Sequence, residues 1–291
     1  MRLVPMLAAM AVGIACHGQE AFVVDAAAPP KIDGRLEPGE WRGAQTYTRL
    51  GRHTNNAEAF PQRTEFKFLR DADNLFVGIE CEEPLAANLD SSPAERGWPK
   101  GDSVELFLDT VKDRKSYVQL AVGCNGSQYD SRDKRALKPL AWEAAAAVGD
   151  KGWTVELKIP FASLSRTAPA TGDSWGFNLC RNRDVGGGWE AGTWANVGAA
   201  FHTPGKFGRL TFGGQEEAYA QRRRTLDASF AALRRQADKV PPEYGQALAD
   251  FERLSQGRTP TETLERKLKE LKDELLAIKT LNDFNSTKGV R

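Results

Sequence analysis

The sequence predicts a mainly β protein, an antiparallel β-sandwich of the jelly-roll type followed by C-terminal α-helices. Short segments of alternating apolar and polar residues fill the chain from about 22 to 213, and turns rich in Gly and Asp separate them. Near residue 215 the composition changes abruptly to Glu, Ala, Arg and Leu. We therefore predict a signal peptide over 1–18, a β-sandwich over 22–213 and an appendage of three helices over 215–291.

Composition excludes several classes of protein. The chain has 291 residues, 41% of them hydrophobic, which is enough for one sizeable core and an accessory segment. A net charge of +1 gives no electrostatic reason to expect nucleic acid as a partner. Because no long apolar run follows the N-terminus, we expect no membrane span in the rest of the chain.

The N-terminal stretch MRLVPMLAAMAVGIACHGQE has the features of an export signal. Arg2 supplies the positive start, residues 3–15 form the apolar stretch, and Gly13-Ile14-Ala15 is a small-x-small cleavage site. We expect a periplasmic or extracellular protein. A lipid anchor on Cys16 is a second interpretation, although Gly13 is a poor residue for a lipobox, and an N-terminal core helix is a third.

Four cysteines are present: Cys16, Cys81, Cys124 and Cys180. Without Cys16 an odd number remains, so not all can pair within one chain. Cys81 and Cys124 are in register with apolar residues and are interpreted as small core residues, although one pair could oxidise after export. No CxxC motif or Cys/His cluster indicates zinc.

Several segments predict particular strands. TEFKFLRDADNLFVGIECEEP (64–84) predicts two strands joined by a turn, and SYVQLAVGCNGSQYDS (116–131) predicts a hairpin at Asn125-Gly126. In GWTVELKIPFASL (152–164), alternate residues including Trp153 face inward, Glu156 faces outward, and Pro160 ends the strand. Further strands are predicted in 173–184 and 207–212.

Three apolar stripes predict the helices. The stripes consist of Leu226, Phe230, Leu233 and Ala237; of Tyr244, Leu248, Phe251 and Leu254; and of Leu264, Leu268, Leu271, Leu275 and Ile278. Pro241-Pro242 and Gly257 separate them, and Thr259, Pro260 and Glu262 form a start signal for the third. The third stripe is typical of a coiled-coil seam. We expect the helices to pack on each other or on the sandwich, with self-association as the alternative.

Residues 97–109, GWPKGDSVELFLD, place a tryptophan and a carboxylate on one side of a strand. Val104, Leu106 and Leu108 form the core face, so Glu105 must point to the opposite face. A pyranose stacks its C–H face on an indole and presents hydroxyls to charged or amide groups, so Trp98 and Glu105 suit a sugar. The alternative for Trp98 is a loop tryptophan folded over the sandwich end.

Catalysis has weaker support in the sequence. Motifs for a serine nucleophile, a zinc protease or a phosphate loop are missing. A glycosidase needs two carboxylates about 5–10 Å apart, whereas Glu105 and Asp109 on one strand are separated by roughly 13 Å. The acids, Glu156 among them, are therefore interpreted as solvated sheet-face residues or as ligands of a structural calcium ion.

Six motifs in fixed order carry a resemblance to a known family: IDGRLEPGEW (32–41), DADNLFVGIECEEP (71–84), GDSVELFLD (101–109), GWTVELKIPFASL (152–164), WGFNLCRNRD (175–184) and HTPGKFGRLTF (202–212). Together they resemble the family nine carbohydrate-binding modules of the DOMON-like superfamily. The resemblance implies a β-sandwich, often with structural calcium. Members bind ends of β-glucan and xylan chains, commonly as modules of glycoside hydrolases.

The resemblance also implies site residues. Trp98 matches one of the family's two clamping tryptophans, Glu105 its glutamate, and Phe201 takes the place of the second tryptophan. Gln119 stands where the family has an arginine, so the charged, bidentate guanidinium group is missing. Gly198 stands near the position where the family has an asparagine. The predicted carbohydrate-binding residues are thus Trp98, Glu105, Gln119 and Phe201.

The sequence therefore predicts an exported, non-catalytic carbohydrate-binding protein that serves polysaccharide recognition or degradation. One alternative is a decayed-site scaffold that assembles through its helices, and another is a module that hydrolyses O-glycosyl compounds. Haem, which DOMON-type relatives hold through Met and His, is not expected because every methionine (Met1, Met6 and Met10) lies in the leader. Only a His53/His202 pair remains for it.

Overall fold

The computed structural model describes residues 19–135, 140–185, 187–198, 200–235, 242–256 and 261–288, with the side chains of 242, 243, 261, 262 and 281–288 excepted. The described strands are β1 (Glu20–Asp25), β2 (Gly51–Arg52), β3 (Thr64–Arg70), β4 (Asn74–Glu82), β5 (Ser103–Asp109), β6 (Val118–Gly123), β7 (Gln128–Arg132), β8 (Glu143–Gly149), β9 (Gly152–Pro160), β10 (Ser174–Arg183), β11 (Glu190–Thr193) and β12 (Gly208–Phe212). The helices are α1 (Gln215–Arg234), α2 (Pro242–Gln256) and α3 (Thr261–Lys288). The predicted mainly β class with C-terminal helices is confirmed. The predicted signal peptide, with Cys16, lies outside the described residues.

The strands form a large, nearly closed sheet. Its order is β7-β6-β5-β10-β12-β1-β3-β4-β9-β8, with β11 paired to β10 and to β2. Strand β1 departs from the predicted antiparallel pattern because it pairs parallel with both β12 and β3. The long connection over residues 26–63 permits this, since a parallel return needs a crossover rather than a tight turn.

The predicted hairpins are present. Strands β3 and β4 pair antiparallel across the Asp-rich turn, and β6 pairs with β7. In the second hairpin, Gly126 has a φ of +86° and its N–H donates to the Gly123 carbonyl at 2.8 Å. The sequence pair Asn125-Gly126 thus identified the turn correctly.

The main core is formed by inward-facing side chains of both halves of the sheet. Val104, Leu106 and Leu108 are fully buried in it, as predicted. Trp153 and Trp175 are also buried there, whereas Trp41 is buried in a smaller cluster. Because successive side chains of β5 point to opposite faces of the sheet, Glu105 and Phe107 lie on the face away from this core. The candidate functional site lies on that outer face.

The burial of Glu156 contradicts the prediction that this residue is a solvated acid on the face of the sheet. Its side chain is 0% exposed because residues 33–41 cover the outer face of β9. The backbone N–H groups of Asp33 and Gly34 both donate to Oε2 at 3.0 Å, and Trp41 Nε1 donates to Oε1 at 3.1 Å. The IDGRLEPGEW motif therefore caps a buried carboxylate, whose pKa is raised by burial.

The described cysteines Cys81, Cys124 and Cys180 are buried and form no disulfide. Burial raises the pKa of the Cys81 thiol to about 12 and that of Cys124 to about 11. All three are therefore small buried residues, as interpreted from the sequence for Cys81 and Cys124.

The chain divides into two compact units. One comprises the chain up to Ala170 with Ser174–Gly213, and the other comprises Thr171–Asp173 with the chain from Gly214 onward. Within the second unit the predicted apolar stripes pack on one another: the Phe230 and Phe251 rings stack at 4.6 Å, and the Tyr244 hydroxyl donates to the Leu271 carbonyl at 3.0 Å. None of the described helices is long and apolar enough to cross a membrane. Ala237 of the first predicted stripe, the break residues Pro241 and Gly257 and the start residues Thr259 and Pro260 lie outside the described residues, as does the side chain of Glu262.

Candidate functional site

A cleft of about 400 Å³ lies over the outer faces of β5 and β10. The segment before β5, the end of β10, the β10–β11 turn and the loop that precedes β12 surround it. Its described lining residues are His53, Trp98, Pro99, Gly101, Ser103, Glu105, Asn182, Asp184, Trp189, Ala200, Phe201 and His202. The sequence-predicted residues Trp98, Glu105 and Phe201 thus lie together.

Aromatic rings form much of the cleft wall. Trp98 is 53% exposed, and its ring packs edge-on against Tyr129 at 5.2 Å. Trp189 is 58% exposed, while Phe201 is half-buried. Tryptophans with this much exposed ring next to polar groups are suited to stacking on a ligand. The structure therefore supports an exposed position for Trp98 rather than a ring folded over the sandwich end.

Trp189 was missed by sequence reasoning. It follows the glycine-rich run 185–188, in the connection between β10 and β11. Its signal was available: an aromatic residue beside a glycine-rich tip has no apolar neighbours with which to form a core stripe. Gly186 itself lies outside the described residues.

Glu105 is the buried polar centre of the cleft floor. Its side chain is 2% exposed, and each carboxylate oxygen accepts a hydrogen bond from an amide. Asn182 Nδ2 donates to Oε1 at 2.6 Å, and Gln119 Nε2 donates to Oε2 at 2.6 Å. Burial raises the pKa of Glu105, and the two amide hydrogen bonds partly oppose that rise.

Gln119 lies behind Glu105 and is not among the cleft-lining residues. Its amide oxygen accepts a hydrogen bond from Ser131 Oγ at 3.0 Å, so its Nε2 must face the carboxylate. Gln119 thus fixes the orientation of Glu105 from the side away from the cleft.

The two described histidines both line the cleft. His53 packs edge-on against Phe201, with ring centroids 4.4 Å apart, and against Trp189 at 6.0 Å. His202 Nδ1 shares a 2.7 Å hydrogen bond with the Tyr117 hydroxyl, and burial lowers the pKa of His202. The pair considered for haem is therefore part of this cleft. Within the described chain, no cluster of three or more His, Cys, Asp or Glu residues is arranged to hold a metal ion.

An ion-pair network supports the cleft from the core side. Arg181 and Arg183 alternate with the cleft residue Asn182 on β10 and both pair with the fully buried Glu83, at 3.4 and 2.7 Å. Burial alone would raise the pKa of Glu83, but hydrogen bonds from Arg183 and the Leu85 N–H, with both guanidinium charges, hold it below its usual range. Arg183 also pairs with Glu190, which ties β10 to the residue next to Trp189.

A second groove of about 640 Å³ lies at the β8–β9 turn. It is the larger of the two, but most of its lining side chains are charged or small, and its one described aromatic residue, Trp153, is buried. Exposed rings beside an oriented carboxylate occur in the smaller cleft, which is therefore the better candidate site.

Comparison with known proteins gives matches over the β unit. The family model of carbohydrate family 9 binding domain-like proteins matches residues 32–215. A family 9 carbohydrate-binding module from Caldicellulosiruptor kristjanssonii in complex with cellotriose is 24% identical, with a TM-score of 0.53, and the match covers 68% of this chain and 95% of that one. The same module in complex with glucose is 24% identical, with a TM-score of 0.52 and coverage of 68% and 97%. A Bacteroides uniformis protein is 15% identical, with a TM-score of 0.54 and coverage of 67% and 100%. No curated protein matches the chain.

Proposed function

The chain belongs to the carbohydrate family 9 binding domain-like family, and from that premise we propose that it is a non-catalytic protein that binds a saccharide in the cleft by stacking it on Trp98 and Phe201. One observation carries this proposal: exposed indoles share the cleft with a buried carboxylate that two amides hold in place. That combination matches the apolar face and the hydroxyl edge of a pyranose.

Glu105 is the hydrogen-bonding group of the proposed site. Each of its oxygens has a lone pair left after accepting one amide hydrogen bond, and these lone pairs can accept hydrogen bonds from sugar hydroxyls. Since Asn182 and Gln119 already hold the carboxylate, binding requires little further ordering of this side chain. In this proposal Gln119 is a positioning residue and does not contact the sugar.

A β-glucan type of ligand is the first class to test. The family 9 module complexes with cellotriose and glucose support the choice of glucose-based probes, and the family resemblance adds xylan. A role in polysaccharide recognition or degradation follows if such ligands bind.

Calorimetric titration of the full-length protein with cellobiose, xylobiose and glucose tests the proposal. We expect saturable binding to at least one sugar that weakens about tenfold or more in Trp98→Ala, because the indole supplies most of the stacking area. Tyr219→Ala, which removes an exposed ring from α1 outside the cleft, should bind like the original protein. Unchanged affinity in Trp98→Ala would refute the proposed site.

Export and calcium are separate proposals. We propose export through residues 1–18, with cleavage after Ala15 or acylation of Cys16 as the two outcomes that mass spectrometry of the secreted protein distinguishes. Structural calcium, which the family resemblance implies, is tested by melting the protein with calcium and with a chelator. A higher melting temperature in calcium supports the ion.

Self-association through the helices is a second candidate function. Leu276 on α3 is 65% exposed, although Leu268, Leu271 and Leu275 of the same helix are buried. Light scattering of the full-length protein and of Leu276→Lys tests it: a dimer that the substitution dissociates supports assembly, whereas a monomer in both refutes it.

A further inference from the structure

The described lining of the cleft carries carboxylates but no side chain with a permanent positive charge. It contains two carboxylates, Glu105 and Asp184, and no lysine or arginine. Lys100, which follows Pro99, is not in this lining but lines a small neighbouring pocket of about 30 Å³ that shares Trp98 with the cleft. Arg181 and Arg183 lie on the core side of β10, where they pair with Glu83. The other titratable groups in the described lining are His53 and His202, and neither forms an ion pair with the two acids.

The hydrogen bonds of Glu105 favour its ionised form and oppose the burial that raises its pKa. Asn182 cannot flip its amide to accept a hydrogen bond from a protonated Glu105, because its Oδ1 already accepts a hydrogen bond from the Trp189 indole N–H at 3.2 Å. Gln119 is fixed in the same way by Ser131. Both carboxylate oxygens therefore face donors, which suits the anion and not the protonated acid.

Asp184 supplies an accessible second charge. Its backbone N–H donates at 2.8 Å to Oδ1 of the buried Asp102, which fixes the position of the residue at the end of β10. Its side chain is exposed, and its carboxylate makes no hydrogen bond or ion pair with the described part of the chain. A ligand cation can therefore approach it without breaking an existing pair.

The aromatic lining also favours a cation. The exposed indoles of Trp98 and Trp189 present electron-rich faces, and tryptophan is the side chain that attracts an ammonium group most strongly. Carboxylates and indole faces in one cleft stabilise a ligand that has both an apolar ring face and a positive charge.

We propose that the preferred ligand of this cleft is an amino-sugar glycan, a saccharide whose protonated amine lies between Asp184, Glu105 and the indoles. This inference rests on the proposed function, since it names the ligand class of the same site. An uncharged sugar satisfies the stacking and the hydroxyl contacts but leaves both carboxylates unneutralised.

Three β-1,4-linked dimers that differ only at carbon 2 of each ring test the proposal: cellobiose, N,N′-diacetylchitobiose and its deacetylated form, chitobiose. Titrations of the full-length protein at about pH 6, where the sugar amines are charged, should give chitobiose about tenfold tighter binding than the two neutral dimers. The preference should fall with added salt, because salt screens the attraction.

The outcomes separate the two proposals. Neutral dimers that bind as tightly as chitobiose would overturn the amino-sugar inference and leave the proposed function standing. No binding of any dimer would overturn both. Equal binding of a lysine amide that lacks a sugar ring would also overturn the inference, because the site would then recognise any primary amine.

Asp184→Asn provides the matched variant. It should reduce the ratio of chitobiose to cellobiose affinity by about threefold or more, since it removes one charge without a change of shape. Asp150→Asn, which removes the same charge at the β8–β9 turn, should leave that ratio unchanged. If both variants reduce this affinity ratio equally, the preference comes from the net charge of the protein, and the proposed role of Asp184 in the cleft is wrong.

Discussion

The indole N–H of Trp189 donates a 3.2 Å hydrogen bond to Oδ1 of Asn182, and through it the most exposed tryptophan of the cleft determines how the buried carboxylate is held. The other end of the same amide donates to Glu105 at 2.6 Å. A ligand that moves Trp189 therefore affects Glu105 as well. The Asn182 amide can accept from Trp189 and donate to Glu105 in one orientation only, because a flipped amide would present the wrong atom to each partner.

Asn182→Ala should weaken saccharide binding about tenfold, because one oxygen of a buried carboxylate loses its donor. Ser103→Ala is the matched control on the neighbouring strand. Its hydroxyl makes only a 3.3 Å contact with Asn182, so its loss should change affinity by less than about threefold. Calorimetric titration of both variants checks this, and equal losses would contradict the special role of Asn182.

Glu105→Gln should change the pH dependence of stability. Burial raises the pKa of Glu105 in the folded protein above the ordinary glutamate value of 4.5, so the folded state binds the proton more tightly than the unfolded state. The stability contributed by this group therefore falls as pH rises from about 4.5 through the folded pKa. The melting temperature of Glu105→Gln, relative to the original protein, should rise with pH across that window.

The constant effect of the substitution on stability has to be separated from its pH-dependent effect. The glutamine loses one hydrogen bond because its own amide faces a donor, but that cost does not depend on pH. Glu156 also has a raised pKa and is unchanged in the variant, so it cancels from the comparison. A difference in melting temperature that stays flat over pH would contradict the prediction.

Local sequence patterns predicted the strands, the turns and the helices because each depends on near neighbours. The alternation of Val104, Leu106 and Leu108 fixed the face of Glu105, and Asn125-Gly126 fixed a turn. The parallel pairing of β1 and the burial of Glu156 each depend on residues distant in the chain. No local pattern contains that information.

Glu83→Gln should lower the free energy of unfolding by about 3–5 kcal/mol at neutral pH, because Arg181 and Arg183 would keep their buried charges without a carboxylate. The lowered pKa of Glu83 means that its contribution is present above about 4.5 and is lost as pH falls through the folded pKa. Urea unfolding at neutral and acidic pH measures both effects.

Glu58→Gln is the matched surface variant. Its pair with Arg52 spans 4.0 Å between exposed side chains, so its loss should cost less than about 1 kcal/mol. If Glu58→Gln destabilises the protein as much as Glu83→Gln, the buried network does not carry the stability assigned to it.

Leu271→Ala in α3 should destabilise the helical unit by about 2–5 kcal/mol, because Leu271 is buried in the cluster of the three helices. Leu276→Ala lies five residues further along the same helix, at an exposed position, and should change stability by less than about 0.5 kcal/mol. Loss of helical signal on heating checks both. Equal effects would mean that the exposed leucine is covered in solution, as self-association would require.

Gly34→Ala should destabilise the β unit by more than about 1 kcal/mol. Gly34 has a φ of +82°, and a Cβ there would lie 2.7 Å from the carbonyl carbon of Ala146. Gly34 must also keep its N–H on Glu156, so the backbone cannot move away without uncovering a buried carboxylate. Gly39→Ala, at a position in the same motif where a Cβ meets nothing within 4 Å, should cost far less. A thermal melt of the two variants distinguishes them, and equal melting temperatures would mean that the motif does not depend on the close approach at Gly34.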